Sequence, residues 1–403
     1  MSVRRIFFVN RVYWPNEAAT AQLLTDLAEA LGARGWEVHV IASGDHGVTL
    51  HRRVTIHRTG GSAEHRGLWS RALNYLRFLR AARRILTQQL HGGEIVVLKT
   101  DPPLLAAVAT GVASRHGAHV VHWIQDIYPE IVVRHAGEWF APLLQPLQWL
   151  RNRAWRRARY CVVPSADMRE PLLRAGLPPT RLNVFPNWAP RELQEPATAE
   201  EVAAVRAAWN ASGKFVVAYS GNLGRVHEFD TILGAAAQLR GESVIQFAFV
   251  GHGPRLAEVS LAVAKARLTN VQFYSFQPRE KLGASLAAAD VHLVSLRPGF
   301  DSLVNPSKLS GILAAGRPAL FVGPPESAMA TLLRTRACGL SFSNGDSDGL
   351  ARAIRALQAD TARVRDLGKA ARAVYDEALT LEVNVNAWDT MLQRLTKSES
   401  TLP

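Results

Sequence analysis

Short apolar runs alternate along this chain with longer stretches in which apolar side chains recur at helical spacing. The runs Arg5–Asn10, Glu37–Ser43, Glu94–Lys99, His119–Gln125 and Tyr160–Val163 read as strands. Helical stretches lie between them; Glu17–Ala33, for example, is amphipathic and stops at Gly35. The alternation restarts with Lys214–Ser220, Gln246–Gly251, Val271–Tyr274, Asp290–Leu296 and Ala319–Val322, each followed by a helix. Strands separated by helices of this length predict βαβ units and parallel sheets. The expected class is α/β, with two doubly wound parallel-sheet domains facing across a cleft at the C-terminal ends of their strands.

The boundaries follow from the same pattern. Residues 1–188 form the first domain, 189–212 a linker carrying one helix, and 213–380 the second domain. Residues 381–403, with Trp388, form a terminal helix expected to pack back across the hinge.

Composition narrows the class. An apolar content of 48 % with 20 % charged residues is that of a globular chain. Two cysteines, Cys161 and Cys338, make no disulfide framework and fit a reducing, cytoplasmic setting. The start MSVRRIFFVN passes directly into a strand, without the apolar stretch and cleavage site of a signal peptide. No apolar run reaches the roughly 20 residues of a spanning helix. The net charge of +13 is uneven: residues 1–188 hold 24 Lys and Arg against 13 Asp and Glu, residues 189–403 hold 23 against 21. The first half is thus expected to face a polyanion.

Candidate chemistry sits where strands run into helices. In the stretch from Ala289 to Leu320, Asn305 stands as an N-cap and Pro306 as the first helical residue of a helix ending at Gly316. Lys308 then falls in the first turn, where a cation is out of place unless an anion joins it. As a surface side chain, its removal would cost less than about 0.5 kcal/mol of stability. Gly221-Asn222-Leu223-Gly224-Arg225 supplies glycines that let backbone approach a phosphate and an arginine that can hold one. Gly251 and Gly253 form a weaker loop of the same kind. In the first half, Tyr13, Pro15 and Glu17 occupy the turn after the first strand, and no GxGxxG dinucleotide fingerprint is present. Asp126 ends another strand, with Glu130 four residues on; a carboxylate there can take hydrogen bonds from sugar hydroxyls or act as a base. Asp346 and Asp348 read as helix caps rather than metal ligands, and no His/Cys cluster has zinc spacing.

Two basic stretches stand out. Arg66–Arg84 carries six arginines and no acid, with Trp69, Leu73, Tyr75, Leu76, Phe78 and Leu79 at near-helical spacing. Trp139–Tyr160 sets Arg151, Arg153, Arg156, Arg157 and Arg159 among Trp149 and Trp155, again without acids. Basic amphipathic helices of this kind bind membrane surfaces, or they face a core and leave their arginines in water.

Taken together, YSGNLGR, FQPREKL, the ADVHLVSL strand and the PSK and AAGRP elements resemble glycosyltransferase family 4 of GT-B architecture, over nearly the whole chain. Asp126–Glu130 resembles the D-x-[YW]-P-E segment of the bacterial exopolysaccharide and lipopolysaccharide branch. The resemblance implies a retaining transferase that moves sugar from a nucleoside diphosphate sugar to a saccharide acceptor. It places the donor on the second domain and the acceptor on the first, with no metal or other cofactor. Gly221–Arg225, Lys308, Pro306 and Ser307 would contact the diphosphate, with base and ribose near Gly251–Gly253 and Tyr274–Gln277, including Phe276. Asp126, Lys308 and Arg225 would carry catalysis, with Tyr13, Pro15, Glu17 and Glu130 on the acceptor side. The chain departs from the family in two places. The usual His-Asp pair reads Gln125-Asp126, and the second of two family glutamates falls at Gly311, leaving Asp301 as the acid of that loop. The acceptor is expected to be polyprenyl-diphosphate linked, and the enzyme peripheral on the cytoplasmic face of an anionic membrane. No nucleic-acid partner is expected, because the basic residues are not interleaved with an RNA-reading motif. The alternatives are a nucleotide-sugar epimerase of the same architecture and a basic nucleic-acid-binding protein.

Overall fold

The computed structural model describes residues 4–61, 68–103 and 105–397. The chain divides into two compact units. The first comprises the chain up to Pro186, Ser302–Asn305 and the segment from Leu381 onward; the second comprises Asn187–Asp301 and Pro306–Thr380. Each is an α/β unit around one sheet, as the alternation predicts.

In the first unit the strands are β1 (Arg5–Val9), β2 (Glu37–Ala42), β3 (Gly47–His51), β4 (Val54–Arg58), β5 (Ile95–Leu98), β6 (His119–Trp123), β7 (Tyr160–Val163) and β8 (Leu182–Val184). Their order is β3-β4-β2-β1-β5-β6-β7-β8, and only β3 and β4 pair antiparallel. Sequence reasoning missed β3, β4 and β8 in this unit, and the strand Gly339–Phe342 in the second. The β3–β4 hairpin turns on Arg52 and Arg53, at φ 43° and 65°, so its two-residue loop has neither the Asn nor the Gly that normally announces it. β3 is the sheet edge, with Val48 and Leu50 exposed. The terminal helix Leu381–Lys397 belongs to this unit: Trp388 is buried, 4.9 Å from the Trp123 ring and 5.5 Å from that of Phe185.

The second unit contains β9 (Phe215–Ser220), β10 (Ile245–Val250), β11 (Val271–Tyr274), β12 (Val291–Ser295), β13 (Ala319–Val322) and β14 (Gly339–Phe342), all parallel, in the order β11-β10-β9-β12-β13-β14. Period-2 alternation shows why a continuous apolar run makes its central strand. Phe215, Val217 and Tyr219 enter one core, Val216 and Ala218 the other. The helix Ala199–Ala208 opens with a Thr198/Glu201 capping box. Trp209 then stacks on Tyr274 at 5.0 Å and shares the second core with Val202 and Val205. Residues 189–212, expected as a linker, therefore lie within the second unit because their apolar side chains cover one face of its sheet. Asp346 caps the helix Ser347–Ala359 by accepting from the Gly349 N–H at 2.9 Å.

Burial also fixes the chain's response to acid. It holds His57, His122 and His292 at about 4 and His227 at about 3, against roughly 6.5 in an unfolded chain. Folded values lie below unfolded ones, so stability is intact above about 6.5 and is lost as pH falls toward 4. By about pH 5 each histidine removes about 1–2 kcal/mol. Urea midpoints are expected to drop sharply between about pH 7 and pH 5; equal midpoints would contradict neutral buried histidines.

Candidate functional site

In an open α/β sheet, ligands bind at the C-terminal ends of the strands where the strand order reverses. That point lies between β9 and β12 in the second sheet and between β1 and β5 in the first.

In the second unit β9 ends at Ser220 and β12 at Ser295, and both hydroxyls are buried without a hydrogen-bond partner. Tyr219 lies beneath, with the Lys308 ammonium 3.4 Å from its ring centroid. The Lys308 Nζ is buried and has no hydrogen-bond partner, and desolvation drives its pKa far below that of a free lysine. It is therefore not the surface residue that its place in the sequence implies. The helix also begins later than expected, as Lys308–Ala314 rather than at Pro306. The preceding backbone is engaged elsewhere: within the first unit, Val304 bridges to Asp126 and the Leu303 carbonyl accepts from the Ile127 N–H at 2.9 Å.

The glycine loops wrap this lysine. Its Cε lies 3.7 Å from the point where Gly221 would carry a Cβ. Gly251, at φ +137°, lies so close to the Gly221 carbonyl that a Cβ would meet the oxygen at 2.2 Å. A Cβ on Gly253 would meet the Leu223 backbone at 2.6 Å. These two glycines thus seat one loop on the other, through Gly221 N–H to the Val250 carbonyl (2.9 Å) and Leu223 N–H to the His252 carbonyl (2.8 Å). Gly224 is buried in the same turn; Asn222 is exposed, its carbonyl accepting from the Tyr219 hydroxyl at 3.1 Å. Arg225 is exposed on this loop. A second cation that the fold buries here is Arg255, which the sequence reading passed over; it donates to the His227 carbonyl at 2.6 Å and pairs with Glu258. His227 was missed as well. Its Nδ1 lies 2.6 Å from the Ser295 carbonyl, and desolvation first, then the Lys308 charge, hold it neutral.

The remaining donor-side candidates are looser. Phe276 is 57 % exposed, edge-on to His252 at 5.4 Å. Asp301 lies partly buried in the loop after β12, with Pro306 buried and Ser307 exposed beyond it. The Tyr274 hydroxyl is committed inward, donating to the Trp209 carbonyl at 2.6 Å. A Cβ at Gly311 would press on Leu193 at 3.3 Å and Leu286 at 3.4 Å, so this position is apolar packing.

The first unit gathers a second group beyond β1, β5 and β6. Lys99 is 1 % exposed; its ammonium lies 3.6 Å from the Trp123 ring centroid and donates to the Thr20 carbonyl at 3.1 Å. Burial lowers it to about 7, against the pull of Asp126 and Asp101. Asp126 is raised to about 6, by burial first and then by Asp101, with Lys99 opposing. Asp101 in turn accepts from Arg11 Nε at 3.0 Å. Neither Lys99 nor Asp101 was marked in the sequence, where a lysine closing an apolar strand looks like ordinary punctuation.

Glu130 does not join this group. It takes a bidentate ion pair from the buried Arg151, one arm at 2.8 Å, and a hydrogen bond from Gln148 at 2.8 Å. Its carboxylate serves to hold a buried cation. Tyr13 is buried, and burial beside Glu29 raises its hydroxyl well above the ordinary range. Pro15 and Glu17 are exposed on the turn that follows. Among the described residues no group of three or more His, Cys, Asp or Glu side chains could hold a metal ion.

Comparison with known proteins gives this geometry a family. WcaI of Escherichia coli (strain K12), whose name assigns it to colanic acid biosynthesis as a glycosyl transferase, is 31 % identical over 172 residues, 42 % of each chain. WbjE of Pseudomonas aeruginosa, named a probable glycosyltransferase, is 27 % identical over 305 residues, 74 % of each chain. The chain thus spans less than half of WcaI's length. Among solved structures, Anabaena Alr3699/HepE in complex with UDP superposes with a TM-score of 0.74 over 97 % of this chain and 100 % of that one, at 15 % identity. WaaG, a glycosyltransferase involved in lipopolysaccharide biosynthesis, gives 0.72 over 96 % and 99 %, at 15 % identity. These likenesses establish a GT-B fold. Residues 19–188 match the glycosyl transferase 4-like domain and residues 203–374 the glycosyl transferases group 1 model. With both halves accounted for, the chain belongs to the group 1 glycosyltransferases.

Proposed function

We propose that the protein transfers a sugar, with retention of anomeric configuration, from a nucleoside diphosphate sugar to a saccharide acceptor in polysaccharide synthesis. The observation that carries this reading is the buried Lys308 ammonium at the strand-order reversal of the second sheet. It has no hydrogen-bond partner of its own and is wrapped by the Gly221 loop. A diphosphate provides what that cation lacks, and charge developing on the departing diphosphate is what a fixed cation stabilises. The HepE structures hold UDP and UDP-glucose on the same fold, which supports a nucleotide ligand here. On the other unit, Asp126 is the carboxylate placed to receive an acceptor hydroxyl. The acceptor is a polyprenyl-diphosphate-linked saccharide on the cytoplasmic face of the cell membrane, and neither metal nor other cofactor takes part. Among the described residues no helix is long and apolar enough to cross a membrane; the attachment proposed is by surface.

A thermal-shift panel of UDP-, GDP- and ADP-sugars tests the reading. At a concentration near 100 times Kd, the matching donor adds about 2.7 kcal/mol to stability and raises Tm by about 5 °C. No shift with any of them at millimolar concentration would overturn the donor assignment.

A further inference from the structure

The two basic helices of the first unit do not turn all of their apolar side chains inward. In Leu68–Gln89, Phe78, Leu79, Ala82 and Leu86 are buried, whereas Leu73 and Leu76 are each 48 % exposed beside the exposed Arg77, Arg80, Arg83 and Arg84. Of the stretch marked in the sequence, Arg66 and the side chains of Trp69 and Arg71 lie outside the described residues. In Ala141–Arg157, Ala154 and Trp155 are buried, while Leu143 is 70 % and Trp149 55 % exposed. Trp139, just before that helix, is 74 % exposed. Arg153 lies over Trp149 at 5.6 Å, with Arg156 and Arg157 exposed alongside. A third helix, Leu105–Arg115, packs against both and carries no acid.

We propose that this three-helix face docks the first unit on an anionic lipid bilayer. The pattern is specific to that partner. Exposed tryptophan and leucine on a surface rich in arginine give an apolar contact that sinks below the headgroups and cations that stay among them. None of the three helices contributes an acid, so a second copy of this face would be repelled, and a nucleic acid would leave Leu73, Leu76 and Leu143 in water. The carboxylates that precede the helix Ala141–Arg157 in the chain are already paired, Glu130 with Arg151 and Glu138 with Arg134. The inference deepens the reading of a lipid-linked acceptor and rests on it for its purpose: the surface that holds the acceptor's lipid also holds the unit that carries Asp126.

The test is flotation of the full chain with phosphatidylcholine vesicles, with and without phosphatidylglycerol, at low and high salt. The chain is expected to float with the anionic vesicles at low salt and to be released by salt. Each arginine near the leaflet contributes a factor of about five in partitioning. Changing Arg77, Arg80, Arg83 and Arg84 to Gln is therefore expected to lower binding by more than about a hundredfold. Changing Trp139, Leu143 and Trp149 to Ser is expected to weaken it even at low salt. Equal recovery with both lipids, no effect of either set of changes, or retention on single-stranded RNA but not on vesicles would overturn the proposal. The nucleotide-induced thermal shift, measured on the same variants, keeps the two readings apart. A shift retained while flotation fails rejects the docking face alone; a shift absent in every form rejects the donor reading and leaves flotation to stand by itself.

Discussion

Lys308→Met is expected to lower turnover by about 10²–10³-fold while leaving the protein as stable as wild type or more so. The two effects come from one feature. A buried ammonium with no hydrogen bond is costly to fold, even with an aromatic ring beneath it. Methionine keeps the apolar stem against Tyr219 and removes the charge, relieving about 1–3 kcal/mol at neutral pH. Sign and pH window follow from linkage. The folded-state pKa is depressed relative to the unfolded lysine, so carrying the charge costs the folded chain stability wherever the unfolded lysine is protonated. Wild-type stability then climbs as pH rises toward the unfolded value of about 10.5, and the advantage of Lys308→Met shrinks over the same range. Turnover and urea midpoints of the variant at neutral and alkaline pH measure both. Near-normal turnover would remove Lys308 from the chemistry, and a marked loss of stability would mean that its ammonium is satisfied in the fold.

Most strands were legible because parallel strands buried on both faces are continuous apolar runs; Tyr160–Val163 and Ala319–Val322 appear with the bounds read from sequence. Edge strands were less legible: Val271–Tyr274 was read, but Gly47–His51 is largely exposed, mixes Val and Leu with polar residues, and was not. The site was legible where backbone geometry demands a residue type, as at Gly221, Gly251 and Gly253. Side-chain roles were less so, because the same residue type serves opposite ends. Arg225 follows a glycine loop and is exposed, whereas Arg255, after the next one, is buried. Glu130 looked available in D-x-[YW]-P-E, but its partner Arg151 is 21 positions away. Such distant pairings leave no local trace in a sequence.

Asp126 gives the second large effect. Asp126→Asn is expected to reduce turnover by about 10²–10⁴-fold, as removal of a general base does. The nucleotide-induced thermal shift should be unchanged, because Asp126 belongs to the first unit and the Lys308 cluster to the second. The wild-type pH profile should carry an acid limb near 6, where burial and Asp101 have brought the carboxyl. Lys99, with a pKa of about 7, is still charged there and favours the ionised carboxylate. Lys99→Met should therefore raise the Asp126 pKa and move the limb upward by about one pH unit. Stability moves the other way. A carboxyl raised above its unfolded value stabilises the fold at pH below that value, and the contribution is lost as pH rises through 6. Asp126→Asn should thus gain stability over wild type at neutral pH and lose that advantage near about pH 4. This crossover, read from urea midpoints, separates a strained ionisable base from a capping carboxylate, whose removal destabilises at neutral pH. An Asp126→Asn protein that no longer responds to the donor, or an acid limb unmoved by Lys99→Met, would withdraw the base from Asp126.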